Sequence, residues 1–412
     1  MKSKTRRILL ALLTCIPAGQ CLAQVNLGSN GSYGPLNVTA STTLQVPPDG
    51  IFHCTTITFS PGATLRFTKN AANTPVYLLA TGDITFNGGG SIAINVSGGD
   101  SNGVAGGIGG PGGFDGGQGG DQPGDGQGPG GGGWGWTGPT GPWAAKPPEL
   151  PYRGSAGFSN RPTHAQQTTT AGAKYGNSLL IPIIGGSGGG GGKTDLLQSS
   201  FGGGGGGGAV VVASNTKISF AIPYTAISAE GGSPTSTGQS PQFGGGSGGA
   251  VRIVAPEITG GLDVRLTSAS GGPDNAGMGR LRVDAINRGS FQVVGNDGIS
   301  AQYASYGSNM IVFPPNFPVL RVKQVGTEVI AANRVDPVFV LFPAGSPEAQ
   351  TLTVTVKDFN TTVPLRAVVT PQNGSRQTFD FTVDNSGGGS TDASVQVNIP
   401  AGTASRVDVW TR

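Results

Sequence analysis

Residues 209–232 read AVVVASNTKISFAIPYTAISAEGG and directly follow seven consecutive glycines at 202–208. The same order of parts returns at 250–272 as AVRIVAPEITGGLDVRLTSASGG, after the glycine-rich stretch 244–249. An earlier version stands at 76–99, VYLLATGDITFNGGGSIAINVSGG, and a truncated one at 279–285, GRLRVDA. From the end of the first apolar run to the closing glycines the spacing is 18 residues (Ala80 to Gly98), 18 (Ala213 to Gly231) and 16 (Ala255 to Gly271). Chance poly-glycine would not hold two apolar strands and a closing Gly-Gly at such spacings. This is an internal repeat of solenoid type.

Each unit opens with a nearly unbroken apolar run (76–80, 209–213, 251–255). A short run of this kind without alternation suits a strand covered on both faces. A polar turn follows, then a more alternating strand such as Ile92-Ala93-Ile94-Asn95-Val96. No unit buries its own apolar face, so neighbours must stack. The expectation is all-β: a parallel β-helix or β-solenoid with poly-glycine loops over 24–315, followed by a second unit.

That second unit begins after the hinge Pro314-Pro315-Asn316-Phe317-Pro318. Residues 316–412 carry short alternating runs at 320–325, 338–342, 351–356, 365–369, 379–383, 395–399 and 407–410. Seven such strands predict an immunoglobulin-like or fibronectin-type β-sandwich. Upstream of the repeats, 44–46, 55–59 and 64–68 read as strands of a capping region.

At the N-terminus, Lys2, Lys4, Arg6 and Arg7 precede the apolar run 8–13 and a small-residue stretch ending at Ala23. This is the layout of a secretory signal peptide spanning 1–23, so the chain is expected to be secreted or held at the cell surface. The apolar run is too short for a membrane span, and none is expected after leader removal. Of 25 basic and 22 acidic residues, four basic ones belong to this leader, leaving 21 against 22. The remaining chain is near neutral, which gives no electrostatic case for nucleic acid. Charged residues are only 11% of the sequence, against about a quarter in ordinary domains. Cys15 and Cys21 also fall in the leader, so Cys54 has no intramolecular disulfide partner.

Between the first and second complete repeats lies a glycine-rich insertion at about 100–208, with Trp134, Trp136 and Trp143 and a compact apolar patch at 179–184. Glycine adopts extended polyproline-II geometry, and without a Cβ such helices approach closely enough to hydrogen-bond laterally. Ordering glycine is entropically costly, so these runs order only if packed. The flanking runs are expected to be ordered and 110–170 partly loose.

Chemistry-bearing motifs are sparse. Lys193-Thr194 follows five glycines but lacks phosphate-loop spacing, because Ser187 stands where the first glycine is needed. Asp115, Asp121 and Asp125 form a carboxylate cluster able to bind calcium weakly, although a solvated loop is the preferred reading and no cofactor is expected. Asp83, Glu257, Asp263 and Asp284 lie on repeat units at different phases and do not align as an acid–base set. Arg280 and Arg282 alternate with apolar neighbours, which places both on one outward face with a solvating role. His53-Cys54 reads as packing, and His53 and His164 belong to no nucleophile pattern.

Residues 244–249 leading into AVRIVAPEITG, the later GRLRVDA, and YGNSLLIPIIGGSGGGGG at 175–192 together resemble a group of secreted, glycine-rich bacterial proteins. That resemblance covers roughly 76–319 and implies a β-helix bearing poly-glycine loops, often with a β-sandwich after it. In composition the glycine runs are also similar to the tips of phage tail-fibre adhesins. Neither resemblance supplies catalytic residues. The leading expectation is therefore a non-enzymatic exported protein, structural or adhesive, with Trp134, Trp136, Trp143 and Tyr152 as contacts to a cell-surface glycan or another extracellular protein. The alternatives are a carbohydrate-active β-helix enzyme, a polysaccharide lyase or hydrolase, and an ice-binding protein.

Overall fold

The computed structural model describes residues 25–120, 123–133, 135–137, 175–194, 199–234, 244–267, 276–295, 304–331, 338–372 and 375–412. Among them the chain is all-β. The first strands are β1 (Gly34–Val38), β2 (Thr42–Gln45), β3 (Ile51–Phe59), β4 (Leu65–Thr68), β5 (Val76–Ala80), β6 (Ile84–Phe86) and β7 (Ile92–Asn95). Within the glycine-rich insertion come β8 (Gly135–Thr137), β9 (Gly192–Thr194) and β10 (Ser199–Phe201). The repeats resume with β11 (Ala209–Ser214), β12 (Lys217–Ser219), β13 (Thr225–Ser228), β14 (Ala250–Thr259), β15 (Gly261–Arg265), β16 (Arg280–Asn287), β17 (Gln292–Val294) and β18 (Ala304–Gly307).

Two parallel sheets grow side by side. One runs β11-β5-β3-β6-β12-β14-β16-β18 with β1 on β3, and the other β17-β15-β13-β7-β4-β2. The first sheet closes a six-strand circuit because β11 also pairs with β14. Strand lengths explain this closure. β3 pairs with β5 along one half and β6 along the other, and β14 does the same with β11 and β12.

Register stacks like on like. Ile57, Ile84, Ile218 and Ile258 form one ladder; Leu65, Ile94, Ile227 and Val264 form another in the second sheet. All eight side chains are fully buried in the core between the sheets. Phe86 stacks between Phe59 and Phe220, with ring centroids 4.6 and 4.7 Å apart.

β5 and β11 are buried at every residue. Val76, Leu78 and Ala80 face the central core, whereas Tyr77 and Leu79 enter a second apolar cluster with Leu27, Leu180, Ile183, Val211 and Val312. The unalternating apolar runs thus reflect cover on both faces.

The poly-glycine stretches are not loops on the outside of the stack. Residues 202–208 are buried throughout and carry no strand pairing until β11 begins. Their amides donate in strict rotation to three neighbours: Gly202, Gly205 and Gly208 to Gly103, Gly99 and Val96; Gly203 and Gly206 to Gly117 and Phe114; Gly204 and Gly207 to Gly244 and Ser247. Their carbonyls accept in the same rotation from Gly107 and Gly110, from Gly186 and Gly189, and from Gly232 and Ala250. These bonds are 2.7–3.1 Å long. A three-residue cycle of partners is the signature of polyproline-II geometry, which has three residues per turn and no internal hydrogen bonds.

Gly206 shows why glycine is required, since an added Cβ would overlap the Gly186 carbonyl. The described parts of 110–133 belong to this bundle, where the region 110–170 was expected to be partly loose; backbone hydrogen bonds tie them to one another and to the neighbouring glycine runs. Residues 121–122, 134 and 138–170 of that region lie outside the described residues.

The C-terminal strands are β19 (Val319–Val325), β20 (Glu328–Val329), β21 (Ala349–Lys357), β22 (Thr362–Pro371), β23 (Gln377–Asp384), β24 (Ser390–Asn398) and β25 (Ser405–Thr411). They form two antiparallel sheets, β20-β19-β21-β24 and β23-β22-β25, over a separate core that includes Leu352, Val354, Leu365 and Val369. The expected strand at 338–342 is not formed among the described residues, where that stretch has no ladder partner, although Val340 and Phe342 pack on the core and Phe339 and Leu341 face solvent.

Candidate functional site

The bundle has two ends. Residue 208 leads into β11, and the opposite, distal end is closed by the small sheet β10-β9-β8. In it Trp136 and Ser200 flank Lys193 on either side, with Gly135 opposite Gly192. Described residues flanking four stretches of chain are placed toward this end. Gly117 and Gly124, flanking 121–122, hydrogen-bond to Gly203 and Gly191 respectively. Thr137, the last residue before 138–174, is in register with Thr194, the last before 195–198. Gly232 and Gly244, on either side of 235–243, bond to Gly205 and Gly204.

Trp136 therefore begins at the distal end, and its backbone is the part described. Trp134, Trp143 and Tyr152 lie outside the described residues, as do Asp121 and His164. Lys193-Thr194 is part of β9, a strand rather than a phosphate-cradling turn.

Asp115 is not a solvated loop carboxylate. Its two oxygens meet Lys69 at 3.2 Å and Arg406 at 2.9 Å, and the Gly109 amide donates to it at 2.9 Å. Burial raises this carboxyl, but Lys69, Arg406 and the Gly109 amide outweigh burial and hold it below the usual carboxylate range. Oxygens engaged by two cations are poor calcium ligands. Asp125 uses its carbonyl to accept from Arg376 at 2.8 Å. Among the described residues no group of three or more His, Cys, Asp or Glu side chains is placed to hold a metal ion.

The acidic residues on the repeats do not converge. Glu257 pairs with Lys217 at 2.8 Å, Asp263 with Arg265 at 3.1 Å, and Asp83 accepts from Thr216. Asp284 is different, being completely buried and bound by two guanidinium groups, Arg252 at 3.0 Å and Arg282 at 2.7 Å.

The outward, solvated role expected for Arg280 and Arg282 is therefore corrected. Both do point away from the central core, but that face is covered. Asn309 caps the network, its amide donating to Asp284 and its carbonyl accepting from Arg252. Arg280 packs against Tyr175, with its guanidinium 5.9 Å from the ring centre and burial pulling its pKa down. Arg252, 1% exposed, was not singled out by sequence reasoning. Its signal was the repeat itself, because Arg252 and Arg282 are register partners on adjacent strands.

Cys54 is packed in the core, as expected, and burial pushes its thiol up to about 12. A thiol so shifted stays protonated and unreactive at neutral pH. Among the described residues no helix is long and apolar enough to cross a membrane.

Fold and site together define a class: an all-β chain of parallel ladders joined to a laterally hydrogen-bonded glycine bundle. No family model, curated protein or solved structure matches this chain.

Proposed function

We propose that this is an exported, non-enzymatic structural or adhesive protein that presents binding segments from the distal end of its glycine bundle. We read the parallel ladders as coils of a β-solenoid and the C-terminal unit as an immunoglobulin-like sandwich, together a stiff mount for that end. One observation carries the reading: the described residues next to 121–122, 195–198 and 235–243, and Thr137 just before 138–174, are bonded or in register toward the end where the bundle stops, and Trp143 and Tyr152 follow Thr137 in sequence. A bundle that excludes side chains from its interior leaves its ends as the places where recognition chemistry can be carried. Aromatic rings there suit a glycan face or an apolar protein surface.

The enzymatic alternative gains no support from the acidic residues, since Asp263 and Asp284 are already neutralised by arginine. Ice binding has one favourable feature, a row of hydroxyls at matched register, Thr58, Thr85, Ser219 and Thr259. The adjacent positions Lys217 and Glu257 are charged, which spoils a flat uncharged face.

The test is replacement of Trp134, Trp136 and Trp143 together by Ala. Binding to cells or immobilised glycans should fall at least tenfold with an unchanged far-ultraviolet spectrum. Undiminished binding would remove the proposal.

A further inference from the structure

An open cleft of about 360 Å³ lies beside β1 and β3. Its lining comes from three short pieces: Ser32 and Tyr33 before β1, Pro47, Pro48 and Asp49 between β2 and β3, and Ile51 and His53 on β3. Its volume lies within the range of about 300–1,000 Å³ common for small-molecule sites.

The walls are held before any ligand arrives. Tyr33 donates its amide to the His53 carbonyl at 2.7 Å, and its ring meets Phe52 edge-on at 5.6 Å. Asp49 Oδ1 accepts the Ile51 amide at 2.9 Å, and Asn70 Nδ2 donates to the Pro47 carbonyl at 2.6 Å. His53 Nδ1 accepts the Asn30 amide at 3.4 Å, which leaves Nε2 as the protonated nitrogen of the neutral ring.

Four polar atoms have no partner among the described residues: Ser32 Oγ, Tyr33 Oη, Asp49 Oδ2 and His53 Nε2. They sit around the half-exposed Tyr33 ring and two proline rings.

We infer that this cleft binds a neutral sugar ring. The tyrosine and proline surfaces suit the C–H face of a pyranose. At its edge, hydroxyls that both donate and accept meet an acceptor-only carboxylate, two hydroxyls and an N–H donor. Among the described residues no lysine or arginine lines the cleft, and Asp49 repels an anion. An added peptide strand is disfavoured, because the Ile51 amide and the His53 carbonyl are already engaged within the chain. The inference stands apart from the distal-end reading, since none of its residues lies in the bundle.

Saturation-transfer difference NMR on the full chain tests it, using methyl β-D-glucopyranoside, methyl β-D-galactopyranoside and N-acetylglucosamine as probes. At least one probe should receive transfer on its ring C–H protons. That signal should drop fivefold or more in Tyr33→Ala and in Asp49→Asn, which keeps the Oδ1 acceptor for Ile51, and persist in Tyr306→Ala, an exposed tyrosine elsewhere. No transfer to any probe, or transfer that survives both Tyr33→Ala and Asp49→Asn, overturns the assignment. Transfer lost only in the triple tryptophan variant moves the sugar to the distal end and overturns it equally.

Discussion

The parallel ladders and the glycine bundle both pair their backbone inside the molecule, and they do it by opposite means. In the ladders, side chains do the packing: isoleucine stacks on isoleucine and phenylalanine on phenylalanine, every strand pair running parallel. In the bundle there is almost nothing but backbone. Neighbours of 202–208 run in either direction, 107–110 alongside it and 96–103 against it, because a threefold helix offers donors and acceptors all round. One region is held by what its side chains add, the other by the lack of them. Size changes should therefore hurt in opposite directions.

The largest effect is expected from Phe86→Ala. It removes the middle ring of the Phe59–Phe86–Phe220 stack at a site 2% exposed and leaves a cavity between two rings that cannot both close in. A loss of about 3–5 kcal/mol follows from truncation of a buried aromatic. Urea or thermal denaturation measures it. A loss below about 1 kcal/mol would mean that the ladders do not depend on stacked side chains.

The converse experiment is Gly206→Ala. A methyl group is placed against the Gly186 carbonyl, in a bundle with no flexible side chain to yield. Overpacking of this kind costs about 1–3 kcal/mol. The matched control is Gly387→Ala, where an added Cβ meets nothing within 4 Å; a surface change there stays within about 0.5 kcal/mol. Equal stability of the two variants would break the contrast between the regions.

The same contrast explains what could be read from the chain beforehand. Apolar runs such as 209–213 announce doubly covered strands, because burial selects side chains and side chains are visible in a sequence. The bundle's lateral bonding was readable from glycine's missing Cβ. Its interior position was not, since glycine is the same letter whether exposed or buried. For Arg252 and Arg282, alternation correctly gives the face, but not that Asn309 and its neighbours cover it from 25 or more residues away. Asp115 was legible only as a carboxylate near others. Its partners Lys69 and Arg406 come from distant parts of the chain, and no local pattern predicts them. The run 338–342 misled for the opposite reason: it alternates like a strand and packs like one, yet lacks a ladder partner among the described residues.

Asp115 also gives the smallest and most specific test, because it joins the regions being compared. Lys69 reaches it from beyond β4, Gly109 from the bundle and Arg406 from β25. Its carboxyl is depressed in the folded chain, so it binds a proton less readily there than when unfolded. Such a group contributes stability above its unfolded pKa of about 3.9 and loses that contribution as pH falls through the lower folded value. Wild-type stability should therefore decline below about pH 4. Asp115→Asn cannot titrate, so the drop in urea midpoint between pH 7 and pH 3 should be smaller in that variant, even though the variant starts from a lower midpoint at pH 7. An identical drop in both would show that the ladders, the bundle and the C-terminal sheets do not depend on this carboxylate to stay joined. The contact between Phe114 and Trp410, with ring centres 5.9 Å apart, would then be the stronger tie.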